Sequence, residues 1–158
     1  IYNNRIFLLE EHLDRLFASA QSIALEIPLS KEELINAVAE TCKANGLSEG
    51  YIRLVVTRGK GTLGLNPYLC EKPEIIIIVA KIQLYPQELY DNGLKIVTVG
   101  TIRNHPEAIN PRIKSLNYLN NVLAKSFCLK VDPILIFSLF LIFELKLLLV
   151  QLKCLCSI

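Results

Sequence analysis

The 158-residue chain has no Met, no Trp and only two histidines, His12 and His105, which lie far apart in sequence. It contains no HExxH, no GxxxxGK[ST] and no Cys-x-x-Cys, so a zinc site built on paired ligands and a P-loop for nucleotide phosphates have no support. Its five cysteines are odd in number and widely spaced apart from Cys154 and Cys156, which argues against a disulfide framework and for reduced, intracellular thiols. A formal net charge of +2 leaves no excess of basic side chains for a phosphate backbone, so no nucleic acid partner is expected. The chain starts Ile-Tyr-Asn-Asn-Arg, without Met or an apolar targeting run, and is expected to be a piece of a longer product.

What is present divides unevenly. All 7 glycines lie before residue 129, whereas residues 129–158 lack Gly and Ala and are dominated by Leu, Ile and Phe. Within this tail Ile134–Val150 is the longest apolar stretch, but Glu144 and Lys146 interrupt it. A membrane helix wants about 20 mainly apolar residues, and a central charge costs roughly 2.5–3.5 kcal/mol on insertion scales. The tail therefore reads as sequence outside the original fold design, as a membrane anchor through which membrane contact could occur, or as a buried helix.

Residues 1–101 alternate strand and helix signals and are read as one small domain. Arg5–Leu9 predicts a short strand, followed by a helix over Glu10–Ser22 with Leu13, Leu16, Phe17 and Ala20 at helical spacing. Ser30-Lys31-Glu32-Glu33 is a capping box, so a second helix starts after Ser30, buries Leu34, Ile35, Val38 and Ala39, and stops at Asn45-Gly46. Tyr51–Arg58, Glu74–Lys81 and Leu94–Thr101 are rich in β-branched residues and predict strands, separated by loops at Gly59–Pro67 and Pro86–Gly93. The fold class is α+β: a small two-layer domain with a largely antiparallel sheet and two helices on one face. Residues 102–128 read as a linker carrying a reactive-lysine candidate.

Cations and phenols gather at predicted strand ends and junctions: Arg15, Tyr51, Arg53, Arg58, Arg103, Arg112, Lys114 and Tyr118. Lys114, beside Arg112 and ahead of the polar run Ser115–Asn121, could have its ammonium form disfavoured and act as an amine nucleophile, or be a solvated loop lysine. Arg15 has an ordinary alternative as a helix-surface residue paired with Glu11 at i−4. Tyr51 and Arg53, two apart on a strand, share a face that could bind a ligand or simply meet water.

Four blocks carry a resemblance: Arg5–Leu16 with its His-Leu-Asp-Arg-Leu core, Tyr51–Gly59, Leu63–Pro67 and Ile113–Asn121. In this order they resemble the class IV aminotransferases, the fold-type IV pyridoxal 5'-phosphate enzymes, and among them most the branched-chain amino acid aminotransferases. The resemblance implies that Lys114 is the Schiff-base lysine, that Arg15 holds the cofactor phosphate with its planar fork, and that Tyr118 hydrogen-bonds the cofactor's phenolic oxygen. It implies Tyr51 and Arg53 on the substrate side, an amino acid and a 2-oxo acid as small-molecule partners, a homo-oligomer when complete, and a cytoplasmic location. A D-amino acid aminotransferase, an aminodeoxychorismate lyase and a non-catalytic truncated product are the alternative readings. The family's opening strands precede residue 1 and most of its large domain would follow residue 125, so the chain alone is expected to be inactive.

Overall fold

The computed structural model describes residues 1–81, 85–93, 96–129 and 135–138. They fall into two compact units, Ile1–Leu84 with Arg112–Lys114, and Tyr85–Pro111 with Ser115–Ile158.

The first unit opens on a tight turn rather than a strand. Tyr2 and Arg5 bridge each other across Asn3 and Asn4, whose positive φ values of 49° and 64° are ones asparagine tolerates better than most residues. The strand expected over Arg5–Leu9 does not form: among the described residues its only ladder contact is that bridge. A strand needs a partner for its backbone groups, and here Leu8 turns instead into the left-handed region, φ 47°, to start helix α1, Leu9–Ser22. Leu8 has no capping side chain, and Glu10 and Glu11 place negative charge at the positive end of the helix dipole. Leu13 and Ala20 are buried, with Leu16 and Phe17 half-buried. The apolar stripe read from the sequence therefore faces the protein.

Helix α2, Lys31–Asn45, has the expected termini. The Ser30 hydroxyl accepts from the Glu33 N–H at 3.2 Å, and the Ser30 N–H donates to Glu33 Oε2 at 2.7 Å. Hydrogen bonding from Ser30, its backbone N–H foremost, holds the Glu33 carboxyl below the usual carboxylate range. Gly46, φ 62°, closes the other end with its N–H shared between the carbonyls of Cys42 and Lys43, a conformation that costs a residue with a Cβ. Leu34 and Val38, one turn apart, are fully buried; Ile35 is half-buried, and Ala39, expected inside, is exposed. Helix α2 packs on strand β2 and against α1. Replacing Ser30 by Ala is expected to cost about 1 kcal/mol, read as a lowered urea midpoint without a change of slope.

Strands β1, Tyr51–Thr57, and β2, Glu74–Ala80, pair antiparallel from Tyr51 opposite Ala80 to Thr57 opposite Glu74. Alternation puts Ile75, Ile77 and Val79 on the more buried face and leaves Ile76 and Ile78 exposed. Beyond the pair the chain continues as two close legs, with the Glu71 N–H donating to the Lys60 carbonyl at 2.9 Å and a bridge between Gly61 and Cys70. A Cβ on Gly59, φ 76°, would lie 1.8 Å from the Lys72 carbonyl oxygen, so only glycine fits where the legs cross. A short 3-10 turn, Pro67–Leu69, capped by Asn66, ends the excursion.

In the second unit, helix α3, Gln87–Asn92, occupies most of the segment expected as a loop; Tyr85 and Tyr90 meet edge to face at 6.2 Å across it. Strand β3, Ile96–Val99, does not extend the antiparallel pair. It pairs in parallel with β4, Leu135–Ser138, and helix α4, Leu119–Leu129, packs on both. Parallel neighbours require a crossover, and α4 supplies it. Within the apolar stretch Ile134–Val150, the four residues of β4 are thus strand, not membrane helix or buried helix; the remainder lies outside the described residues. No described helix is long and apolar enough to cross a membrane.

Candidate active site

Helix α1 carries three polar side chains at i, i+3 and i+7: His12, Arg15 and Ser19, which a helix places on one face. An Arg15 guanidinium nitrogen lies 3.0 Å from His12 Nδ1. A guanidinium can only donate, so Nδ1 accepts and the neutral ring carries its proton on Nε2. Burial pushes the His12 pKa down, and the positive charges of Arg15 and Lys114 push the same way against Glu11. The ring is thereby kept in the state that can accept from Arg15. The i−4 pairing of Arg15 with Glu11 is not made; Arg15 turns to the imidazole instead.

Lys114 comes to this helix face from 95 positions along the chain: its backbone N–H donates to Ser19 Oγ at 3.1 Å. Its side chain still reaches solvent, yet the protein around it lowers the ammonium's pKa, and the charge of Arg15 lowers it further. More of the amine is therefore free, with a lone pair available to attack a carbonyl, than for an ordinary lysine.

The end of α1 is held from outside. Arg58, just past β1, donates to the Ala24 carbonyl at 2.7 Å and to the Ile23 carbonyl, where the chain leaves the helix through Ala24 at φ 50°. Carbonyls at and just past a helix C-cap lack helical partners, and this planar fork satisfies two of them at once. Of the cations singled out in the sequence, Arg58 thus serves the backbone.

Tyr51 and Arg53 share the exposed face of β1, opposite Ala80 and Ile78, with Ile76 further along. Tyr118 belongs to the second unit, where its carbonyl accepts from Val122 at 2.9 Å as α4 begins and its ring is about half exposed. Arg112 and Lys114 belong to the first unit. Gly59, Gly61 and Gly64 have the spacing of a G-x-G-x-x-G phosphate loop, but this stretch leaves an antiparallel strand and leads into a 3-10 turn. There is no helix N-terminus to complete an anion site. Among the described residues no group of His, Cys, Asp and Glu could hold a metal ion.

Ser19 is the site residue that sequence reasoning missed. The available signal was a hydroxyl next to Ala20 inside the buried side of α1; a serine in a helix interior is neutral to unfavourable unless it has a bond to make.

Among the described residues, Arg15 and Lys114 make no ion pair with a carboxylate. Two positive groups without a counter-charge, one a planar fork and the other an amine of reduced basicity, suit a ligand that carries both a phosphate and an aldehyde. Pyridoxal 5'-phosphate has that combination.

Residues 1–135 match the family model described as amino-transferase class IV, a family of pyridoxal-phosphate enzymes. A putative branched-chain-amino-acid aminotransferase from Methanocaldococcus jannaschii is 49% identical over 124 residues, which are 78% of this chain and 42% of that protein. A D-alanine aminotransferase from Staphylococcus haemolyticus is 35% identical over 131 residues, 83% of this chain and 45% of that protein. Among solved structures, a T.th. branched-chain amino acid aminotransferase complexed with N-(5'-phosphopyridoxyl)-L-glutamate superposes with a TM-score of 0.73 at 28% identity. That match covers 83% of this chain and 43% of that one. The chain thus spans less than half the length of these relatives.

Proposed function

The chain belongs to the class IV aminotransferases, and from that premise we propose that the complete protein moves an amino group between a branched-chain L-amino acid and 2-oxoglutarate. The observation that carries this reading is the docking of the Lys114 backbone on Ser19 of the helix that also bears Arg15, with the lysine's amine made less basic by burial and by the charge of Arg15. When bound, pyridoxal phosphate supplies an electron-accepting ring that stabilises charge developing at the substrate's Cα. Arg15 holds the phosphate through a planar fork, itself steadied by His12. Lys114 would hold the cofactor's aldehyde carbon through Nζ, and its free amine would carry a proton from and to the substrate's Cα. Tyr118 would hydrogen-bond the cofactor's phenolic oxygen, as the family resemblance implies.

On the substrate side, Arg53 offers a cation for a carboxylate and Tyr51 a phenol. Ile76 and Ile78, exposed on the same sheet face, offer an apolar floor for a branched side chain. This pairing of charge with aliphatic surface, together with the greater identity to the branched-chain relative, favours leucine, isoleucine and valine over D-alanine. The test is the complete protein assayed with 2-oxoglutarate and each donor. Conversion of leucine to its 2-oxo acid is expected; turnover of D-alanine with none of leucine would reassign the protein to D-amino acid transamination.

A further inference from the structure

Two serines in α1 behave differently. Ser22 bonds back to the Ala18 carbonyl at 2.8 Å, the usual resort of a helical hydroxyl. Ser19, buried to 7% exposure, instead accepts the N–H of Lys114 across 95 residues. Alanine would fill the position with better helix propensity, as Ala20 does beside it. Among the described residues, the structural use of the hydroxyl is the bond to Lys114. Residues 15 and 19 are one turn apart, about 6 Å along the axis, and the helix that fixes their spacing is anchored at its end by Arg58.

We infer that Ser19 is a positioning residue: its hydroxyl docks the backbone of Lys114 onto the same face of α1 as Arg15 and so sets where the reactive amine stands relative to the phosphate-binding guanidinium. The inference rests on the assignment of Lys114 as the reactive lysine. Helix α1 then acts as a ruler, with one helical turn separating the two groups that must reach opposite ends of one small ligand. Without the hydroxyl, the lysine segment is free to lift away from Arg15, and the amine returns to the behaviour of an ordinary solvated lysine.

The experiment is competitive acetylation of the full 158-residue chain over the neutral to alkaline range, read lysine by lysine by peptide mass mapping, for the parent, Ser19→Ala and Ser19→Thr. In Ser19→Ala the Lys114 profile is expected to move to higher pH, with its reactivity near neutrality falling about 3- to 10-fold, the equivalent of half to one pH unit. The other lysines should not change, and Ser19→Thr, which keeps the acceptor, should follow the parent. A Lys114 profile in a folded Ser19→Ala chain that superimposes on the parent's would overturn the inference. Hydrogen exchange in the unaltered chain tests it without any substitution: the Lys114 amide should exchange slowly, and exchange at the rate of an open loop amide would refute the dock. Cofactor binding separates the two readings. A shifted profile, with no pyridoxal phosphate taken up on Lys114 by the complete protein, keeps the dock and removes the assignment of Lys114 as the reactive lysine, whereas cofactor on Lys114 of the complete protein with an unshifted profile does the reverse.

Discussion

Arg15→Ala in the complete protein is expected to weaken pyridoxal-phosphate retention about 10- to 150-fold, the loss of one charge-assisted contact worth about 1.5–3 kcal/mol. Among the described residues the half-buried guanidinium is not neutralised by a carboxylate and is oriented by His12, so its fork is available to a dianion without an ion pair having to break first. Arg15→Lys should recover part of the affinity, because a point charge restores attraction but not two parallel bonds. Dialysis against buffer, with cofactor absorbance followed in time, reads the effect. An unchanged off-rate for Arg15→Ala would leave Arg15 as a helix residue whose role ends at the imidazole.

The largest stability effect is expected at Leu34. It is fully buried on α2, the helix that packs on β2 and against α1, and Leu34→Ala leaves a space that Val38, one turn away on the same helix, cannot fill without moving the helix. Large-to-small changes of this kind cost about 2–5 kcal/mol, a large share of the about 5–15 kcal/mol that holds a typical domain. Urea unfolding followed by circular dichroism should show the midpoint falling sharply. A midpoint within experimental error of the parent's would mean that α2 does not form the core of the first unit. At an exposed position such as Ala39, the other end of the stripe read from the sequence, substitution should change little.

Much of this is legible in the residues because the signals are local. Ser30 and Glu33 announce a helix start through two bonds within one turn, and Gly46 announces its end, so both ends of α2 can be read from the residues alone. Strands β1 and β2 match their expected ends to within one residue, since runs such as Ile75–Val79 fit a pleated, half-buried surface. What fails depends on partners that sequence does not display. Arg5–Leu9 has strand-like residues, but among those described only a bridge at Arg5 engages them. The sequence of β3 says nothing of whether it joins β2 or finds a parallel neighbour from the Leu-rich tail, and it does the latter.

The site divides in the same way. Arg15 and Lys114 stand out through a family resemblance carried by short blocks. The bond that brings Lys114 to α1 spans 95 positions and uses a serine with no motif of its own. Arg58 is grouped with the ligand-binding cations by its place at a strand end, yet it caps a helix whose carbonyls are 34 and 35 residues away. A cation's chemistry is visible in sequence; its partner is not.

The central claim is that Lys114 is the lysine which takes the cofactor. The most direct measurement is borohydride reduction of the complete protein after incubation with pyridoxal 5'-phosphate, followed by proteolysis and mass mapping. The pyridoxyl group is expected on the peptide containing Ile113-Lys114-Ser115, at Lys114 alone and in amounts approaching one per chain. A pyridoxyl group on another lysine, or none on any, would contradict it.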